Sequence, residues 1–192
     1  MGDGKHFLVF PVRSGRLLNY VGFVPTVEQT RESWSAPGDP EVLRSEFVGW
    51  DTRINELLSK VDSTFWWGLY DREPLERWTT GRLTLLGDAA HPMLPHLGQG
   101  ANQSIEDGVA IATLLNRADR ESAPNILLTY ERLRRERTSQ VQRGSRQNGT
   151  RYDSGANDLD ERDREIARAT AFRWSIYDYD AEESANAALL TL

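Results

Sequence analysis

The sequence predicts an α+β chain: a mostly antiparallel sheet with its helices, then a strand–loop–helix segment, then C-terminal helices. Two apolar runs, residues 6–12 and 17–24, flank a Ser14-Gly15 turn and read as a β-hairpin. A short apolar run at residues 83–86 stops at Gly87-Asp88 and leads through a Gly/Pro loop into a periodic helix. Beyond Pro124 the pattern is helical almost throughout. These observations divide the chain into residues 1–80, 81–150 and 151–192.

Taken in order, residues 28–34 after the hairpin read as a third strand. Asp39-Pro40 marks a helix start, with Asp as N-cap and Pro at the first helical position, and Leu43 and Phe47 form its buried side. Ile54, Leu57, Leu58 and Val61 recur at i, i+3, i+4, i+7 and give a second helix. Residues 64–70 carry Phe65, Trp66, Trp67 and Tyr70 and read as a strand. That aromatic run is expected to be core on one face and sheet cover on the other, rather than a stacking platform. In the helix after the loop, Ile105, Val109, Ala112 and Leu115 form the apolar face.

Pro124 opens a long helix to about Arg143, with Ile126, Tyr130, Leu133 and Val141 on one side. Arg132, Arg134, Arg135 and Arg137 lie on the other, interleaved with Glu131 and Glu136, so a solvated, ion-paired face is expected rather than a nucleic-acid patch. Asn148-Gly149 should end this helix. Residues 158–173 alternate in charge and read as an exposed helix, and the Ala-rich tail to Leu192 is expected to pack weakly or fray.

Composition narrows the chemistry. The 192 residues suffice for a real core, and a net charge of −6 argues against nucleic acid or an anionic membrane as partner. There is no cysteine, which removes disulfides and thiolate metal sites, and the three histidines do not form HExxH, so no metal is expected. No run is apolar enough to span a bilayer and no signal-peptide pattern opens the chain, so a cytoplasmic location is expected.

The segment from Arg82 to Leu115 is the candidate ligand site. Asp88 sits at the C-terminal edge of a strand, where its carboxylate can accept hydrogen bonds from a polyol. The loop through Pro92, Pro95, Gly98 and Gly100 delivers the chain to a helix whose first N–H groups, at Gly100, Ala101 and Asn102, can hold an anionic or carbonyl oxygen.

The whole string RLTLLGDAAHPMLPHLGQGANQSIEDGVAIATLL resembles the second flavin-binding motif of the FAD-dependent aromatic hydroxylases, the class A flavoprotein monooxygenases. Phe10-Pro11-Val12-Arg13-Ser14-Gly15 with Leu18-Asn19 is similar to the substrate-domain hairpin of the salicylate-hydroxylase-like branch. So are Trp67-Gly68-Leu69-Tyr70-Asp71-Arg72, Pro74-Leu75 and Arg77-Trp78. Arg134-Arg135, Thr138, Val141-Gln142, Ser145-Arg146 and Asn148-Gly149 resemble its C-terminal helix, and Trp174 to Asp180 also has a counterpart.

This resemblance implies a fragment of a Rossmann-like FAD-binding fold, with FAD as cofactor, NADH or NADPH as reductant and a small aromatic molecule as substrate. It implies that Asp88 holds the ribityl chain, that the Ala101 and Asn102 amides face the flavin pyrimidine edge, and that Gly87, Gly98 and Gly100 belong to the same cofactor-binding set. Pro95 would lie over the ring system, its carbonyl free to orient a substrate hydroxyl. For a base acting on a substrate phenol it points to His6, four residues from Phe10 and so on the same strand face, or to His96 in the loop. Relatives commonly have Tyr where Phe10 stands, which bears on the substrate class. His91 is expected to be structural.

The family's GxGxxG turn and its middle Asp-Gly motif are both missing from this sequence, so the resemblance is to the C-terminal half of such an enzyme. The chain is therefore expected to be inactive alone and to need a separately encoded N-terminal half or self-association. The alternatives are a catalytically dead remnant serving as an interaction or ligand-binding module, or an epoxidase or polyprenyl reductase of the same superfamily. The salicylate-type flanking motifs argue against the last.

Overall fold

The computed structural model describes the chain except residues 3, 27–32, 34, 155–158 and 192 and the side chains of residues 159 and 162. Of the third-strand expectation at residues 28–34, all but Ser33 lie outside the described residues, and Ser33 is in no strand. The chain forms two compact units, Met1–Tyr70 with Tyr152–Gly155, and Asp71–Arg151 with Ala156–Leu192. Mixed helix and antiparallel strand are as the sequence predicts.

In the first unit, β1 (His6–Val12) and β2 (Leu17–Phe23) pair antiparallel from His6 opposite Phe23 to Val12 opposite Leu17. The four-residue turn between them holds Arg13, Ser14 and Gly15 at φ 50, 56 and 79. Helix α1 (Pro40–Glu46) starts as expected: the Asp39 carboxylate accepts from Glu41 N–H and Pro40 occupies the first turn. Phe47, fully buried, meets Phe7 and Trp50 edge-on at 5.0 Å. Helix α2 (Thr52–Ser59) buries Leu58, and the Arg44 guanidinium donates to the carbonyls of Leu58 and Val61, tying the two helices.

The strand expected over residues 64–70 shrinks to β4 (Thr64–Phe65), paired with β3 (Pro37–Gly38). Its partner is cut short because α1 begins at Pro40, and Trp66 N–H to Ala36 O is the last rung. Phe65 is consequently exposed, not core.

The second unit opens with β5 (Thr79–Thr80) and β6 (Leu83–Thr84), an antiparallel pair. The strand expected at residues 83–86 pairs only over Leu83–Thr84; Leu86 stays extended, and Gly87, at φ 59, then turns the chain into a 3₁₀ turn, Gly87–Ala89. A second 3₁₀ turn, Pro95–Leu97, precedes α3 (Gly100–Leu115). Helices α4 (Ala123–Asp153), α5 (Leu159–Tyr177) and α6 (Ala181–Leu189) follow. Trp78, Ala90, Ala110, Leu114, Ile126, Tyr130 and Ala185 form the core. No helix among the described residues is long and apolar enough to cross a membrane.

Four expectations are corrected here. The buried face of α3 is Gln103, Asp107, Ala110 and Leu114, while Ile105 is 65% exposed and Val109 and Leu115 are also exposed. Arg134 on α4 ion-pairs with Asp107 and donates to Gln103 Oε1, which turns both polar side chains inward. Arg134, expected on a solvated face, is fully buried for the same reason. Asn148-Gly149 does not end α4; both residues lie within it, buried against the loop. The tail does not fray: Asp180 caps α6 at Glu183 N–H, and Ala185 is fully buried in the core.

Candidate functional site

The site is built around one buried carboxylate. Asp107, on α3, accepts from the backbone N–H of Gly87 at 2.9 Å, from His91 Nε2 at 2.6 Å and from Arg134 Nε at 2.8 Å. It thereby pins both ends of the turn that carries Asp88. Burial works to raise the Asp107 carboxyl, but the bonds from His91, Gly87 and Arg134 outweigh it and hold it below the usual carboxylate range. Glu106 follows the same logic, burial opposing and Arg137 and Arg134 prevailing. Burial likewise opposes the Arg134 charge, yet Asp107 and Glu106 raise its pKa. The Arg137 guanidinium lies 3.8 Å from the Tyr179 ring centre and donates to Ile176 O, which extends the network to the end of α5 and the link to α6.

His91 is fully buried and belongs to this network, in the structural role expected of it. In contrast, Asp88 itself is exposed. A Cβ built on Gly100 would come 3.8 Å from Asp88 Oδ1, so the carboxylate stands beside the first residue of α3. No side chain caps that helix: Gln99 is at the N-cap and makes no capping bond. The N–H groups of Gly100, Ala101 and Asn102 are the orphans of the helix start, and Ala101 and Asn102 are exposed. A carboxylate acceptor next to uncapped N–H donors fits a polyol chain joined to a ring bearing carbonyl oxygens.

The loop between the two turns is held by α4. Gln142 Nε2 donates to Pro92 O at 2.8 Å, Ser145 Oγ to Leu94 O at 2.5 Å and Asn148 Nδ2 to His96 O at 2.7 Å. Pro95 is exposed, and its carbonyl is engaged, accepting from Gly98 N–H at 2.9 Å. The expectation of a free carbonyl there is corrected to one lone pair left over. Gly98 takes φ 63, the left-handed conformation glycine favours. The His96 ring packs on Gly149, whose missing Cβ would come 2.5 Å from His96 Cδ2.

Gly87, Asp88, Pro95, His96, Gly98, Gly100, Ala101 and Asn102 all lie in the second unit, with Asp88 brought beside Gly100. His6 and Phe10 belong to the first unit, on β1. His6 is 5% exposed, stacks on Phe23 at 4.1 Å, and its Nδ1 lies 2.7 Å from Asp153 Oδ1. Phe10 is exposed.

Asp107, Arg134, Gln142, Ser145 and Asn148 were missed as site residues. Asp107 shares a helical stripe with Gln103, Ala110 and Leu114, and Gln142, Ser145 and Asn148 recur every third residue. Both are buried stripes written partly in polar residues, which apolar periodicity does not register.

Residues 2–145 match the family described as FAD binding domain. A 3-amino-4-hydroxybenzoate 2-monooxygenase of Streptomyces platensis is 41% identical over 152 residues, covering 79% of this chain and 38% of that protein. A salicylate hydroxylase of Pseudomonas putida is 37% identical over 161 residues, covering 80% of this chain and 37% of its own length. Among solved structures, a salicylate hydroxylase substrate complex superposes with a TM-score of 0.85 at 32% identity, covering 97% of this chain and 48% of that one. The chain therefore spans less than half the length of these relatives.

Proposed function

The chain belongs to the FAD binding domain family, and on that premise we propose that it forms the part of an aromatic-ring monooxygenase that holds the flavin ring and ribityl chain of FAD. The observation that carries the reading is the exposed Asp88 carboxylate beside the uncapped start of α3. Bound FAD supplies the redox chemistry, taking reducing equivalents from NADH or NADPH and delivering one atom of O₂ to an electron-rich ring.

The chain's own residues bind, orient and move a proton. Asp88 accepts hydrogen bonds from ribityl hydroxyls, while Gly87 and Gly98 set the turns on either side. The Ala101 and Asn102 N–H groups and the positive end of α3 favour negative charge on the flavin pyrimidine edge. Pro95 presents an exposed apolar surface to the ring system. His6 is assigned the role of base, with the Asp153 carboxylate 2.7 Å from Nδ1 as the partner that orients the ring. His96 places the loop. The substrate is a small hydroxylated aromatic, and Phe10 puts an apolar ring, not a hydrogen-bond donor, on the strand face it shares with His6.

No GxGxxG occurs in this sequence, so the ADP half of FAD has no Gly-rich turn here. The chain alone is proposed to bind FAD weakly and to be inactive until a dinucleotide-binding half is supplied. The test is to co-purify the chain with the GxGxxG-bearing half of a salicylate hydroxylase and follow flavin absorbance, NADH oxidation and O₂ uptake with aromatic acids. Flavin retention and ring-stimulated NADH oxidation only in the mixture support the reading. A chain that is yellow with stoichiometric FAD by itself, or a mixture that never retains flavin, contradicts it.

A further inference from the structure

Gln142, Ser145 and Asn148 occupy one face of α4 at three-residue steps, and their donors meet the carbonyls of residues 92, 94 and 96, every second residue of the loop. The two spacings do not match for an extended chain. Three helical residues rise about 4.5 Å, whereas two extended residues advance about 6.6 Å. The loop must therefore be contracted, and the 3₁₀ turn at Pro95–Leu97 supplies a contraction. All three donors are buried, while Pro95, between two of the gripped carbonyls, is exposed. Gly149, one residue past the last donor, leaves the space in which the His96 ring sits.

We propose that this stripe of α4 is a template: Gln142, Ser145 and Asn148 are positioning residues that set the shape of the loop before any ligand arrives and present Pro95 on the outward side. For the identity of the ligand this rests on the flavin reading; for the template itself it rests only on the three bonds and their burial. The donors are buried and the carbonyls half-buried, so losing a bond leaves both groups short of a partner and each bond biases the loop toward the gripped form. The affinity of the site is then governed partly by side chains that touch no ligand.

The test uses the ligand-free 192-residue chain. Amide hydrogen exchange at Gly98, whose N–H donates to Pro95 O, reads opening of the loop. Ser145→Ala and Gln142→Met should each accelerate exchange at Gly98 by about ten-fold, with the amides of α3 unchanged, and Ser145→Thr, which keeps the hydroxyl, should restore it. Thr138→Val is the control: that hydroxyl bonds the carbonyls of Arg134 and Arg135 inside α4, so its loss should not single out the loop. Exchange at Gly98 that stays unchanged, or rises only in step with α3, overturns the template. With the dinucleotide-binding half present, the same variants should weaken FAD binding about ten-fold. A loosened loop with unaltered FAD affinity would leave the template standing and overturn its hold on FAD affinity, whereas a mixture of wild-type halves that binds no FAD would remove the flavin reading instead.

Discussion

Arg134 is the residue whose burial most changes the view of this chain. It serves Asp107, Glu106 and the Gln103 side chain at once. Arg134→Met should leave Asp107 and Glu106 each short of one of their partners and destabilise the second unit by ~3–5 kcal/mol, read as a lowered urea midpoint. A change under about 1 kcal/mol would mean the pair behaves as a surface one. At His6 the expectation is catalytic. In the complete enzyme, His6→Gln should slow hydroxylation by about 10²–10⁴-fold while sparing flavin reduction, and should divert NADH to hydrogen peroxide. Stopped-flow traces decide this, with His96→Gln as the control for loop placement. Asp88 was legible in the sequence because strand, Gly-Asp, Gly/Pro loop and helix start lie side by side in the chain. Arg134 was not: its partners are 27 and 28 residues away, and an interleaved Arg/Glu run reads as solvated until the fold brings α3 against it.

At the scale of elements, the hairpin, α1 and α2 were legible because each is specified locally, by a turn, a cap or an apolar stripe. Errors arose where a neighbour decides. Asn148-Gly149 looks like a stop, yet in α4 the glycine is what lets His96 approach. Gly149→Ala should therefore destabilise by about 1–3 kcal/mol through overpacking, the reverse of the gain expected from replacing glycine in an exposed helix. A thermal melt separates the two. The tail is the second case. With Ala185 fully buried, Ala185→Glu should bury an unpaired charge and detach α6, seen as lost exchange protection across 181–189. Protection equal to wild type would return the tail to the frayed state its composition suggests.

For the whole molecule, the depressed carboxyls set the response to acid. Asp107 and Glu106 have folded pKa values below their ordinary ones, so the stabilisation they give is complete above the ordinary carboxylate range. It is lost as pH falls through the depressed folded values. The second unit should thus hold its stability down to about pH 4 and lose it below, with circular dichroism against pH as the check. A loss beginning near pH 6 would point to a different group.

The central claim is that this chain supplies the flavin-ring and ribityl side of an FAD site through Asp88. Fluorescence titration of FAD onto the chain paired with a GxGxxG-bearing half, wild type against Asp88→Ala, tests it most directly. The expected loss is ~1.5–3 kcal/mol, or roughly 10- to 150-fold in affinity. An unchanged affinity would show that this carboxylate ends a turn and holds no ligand.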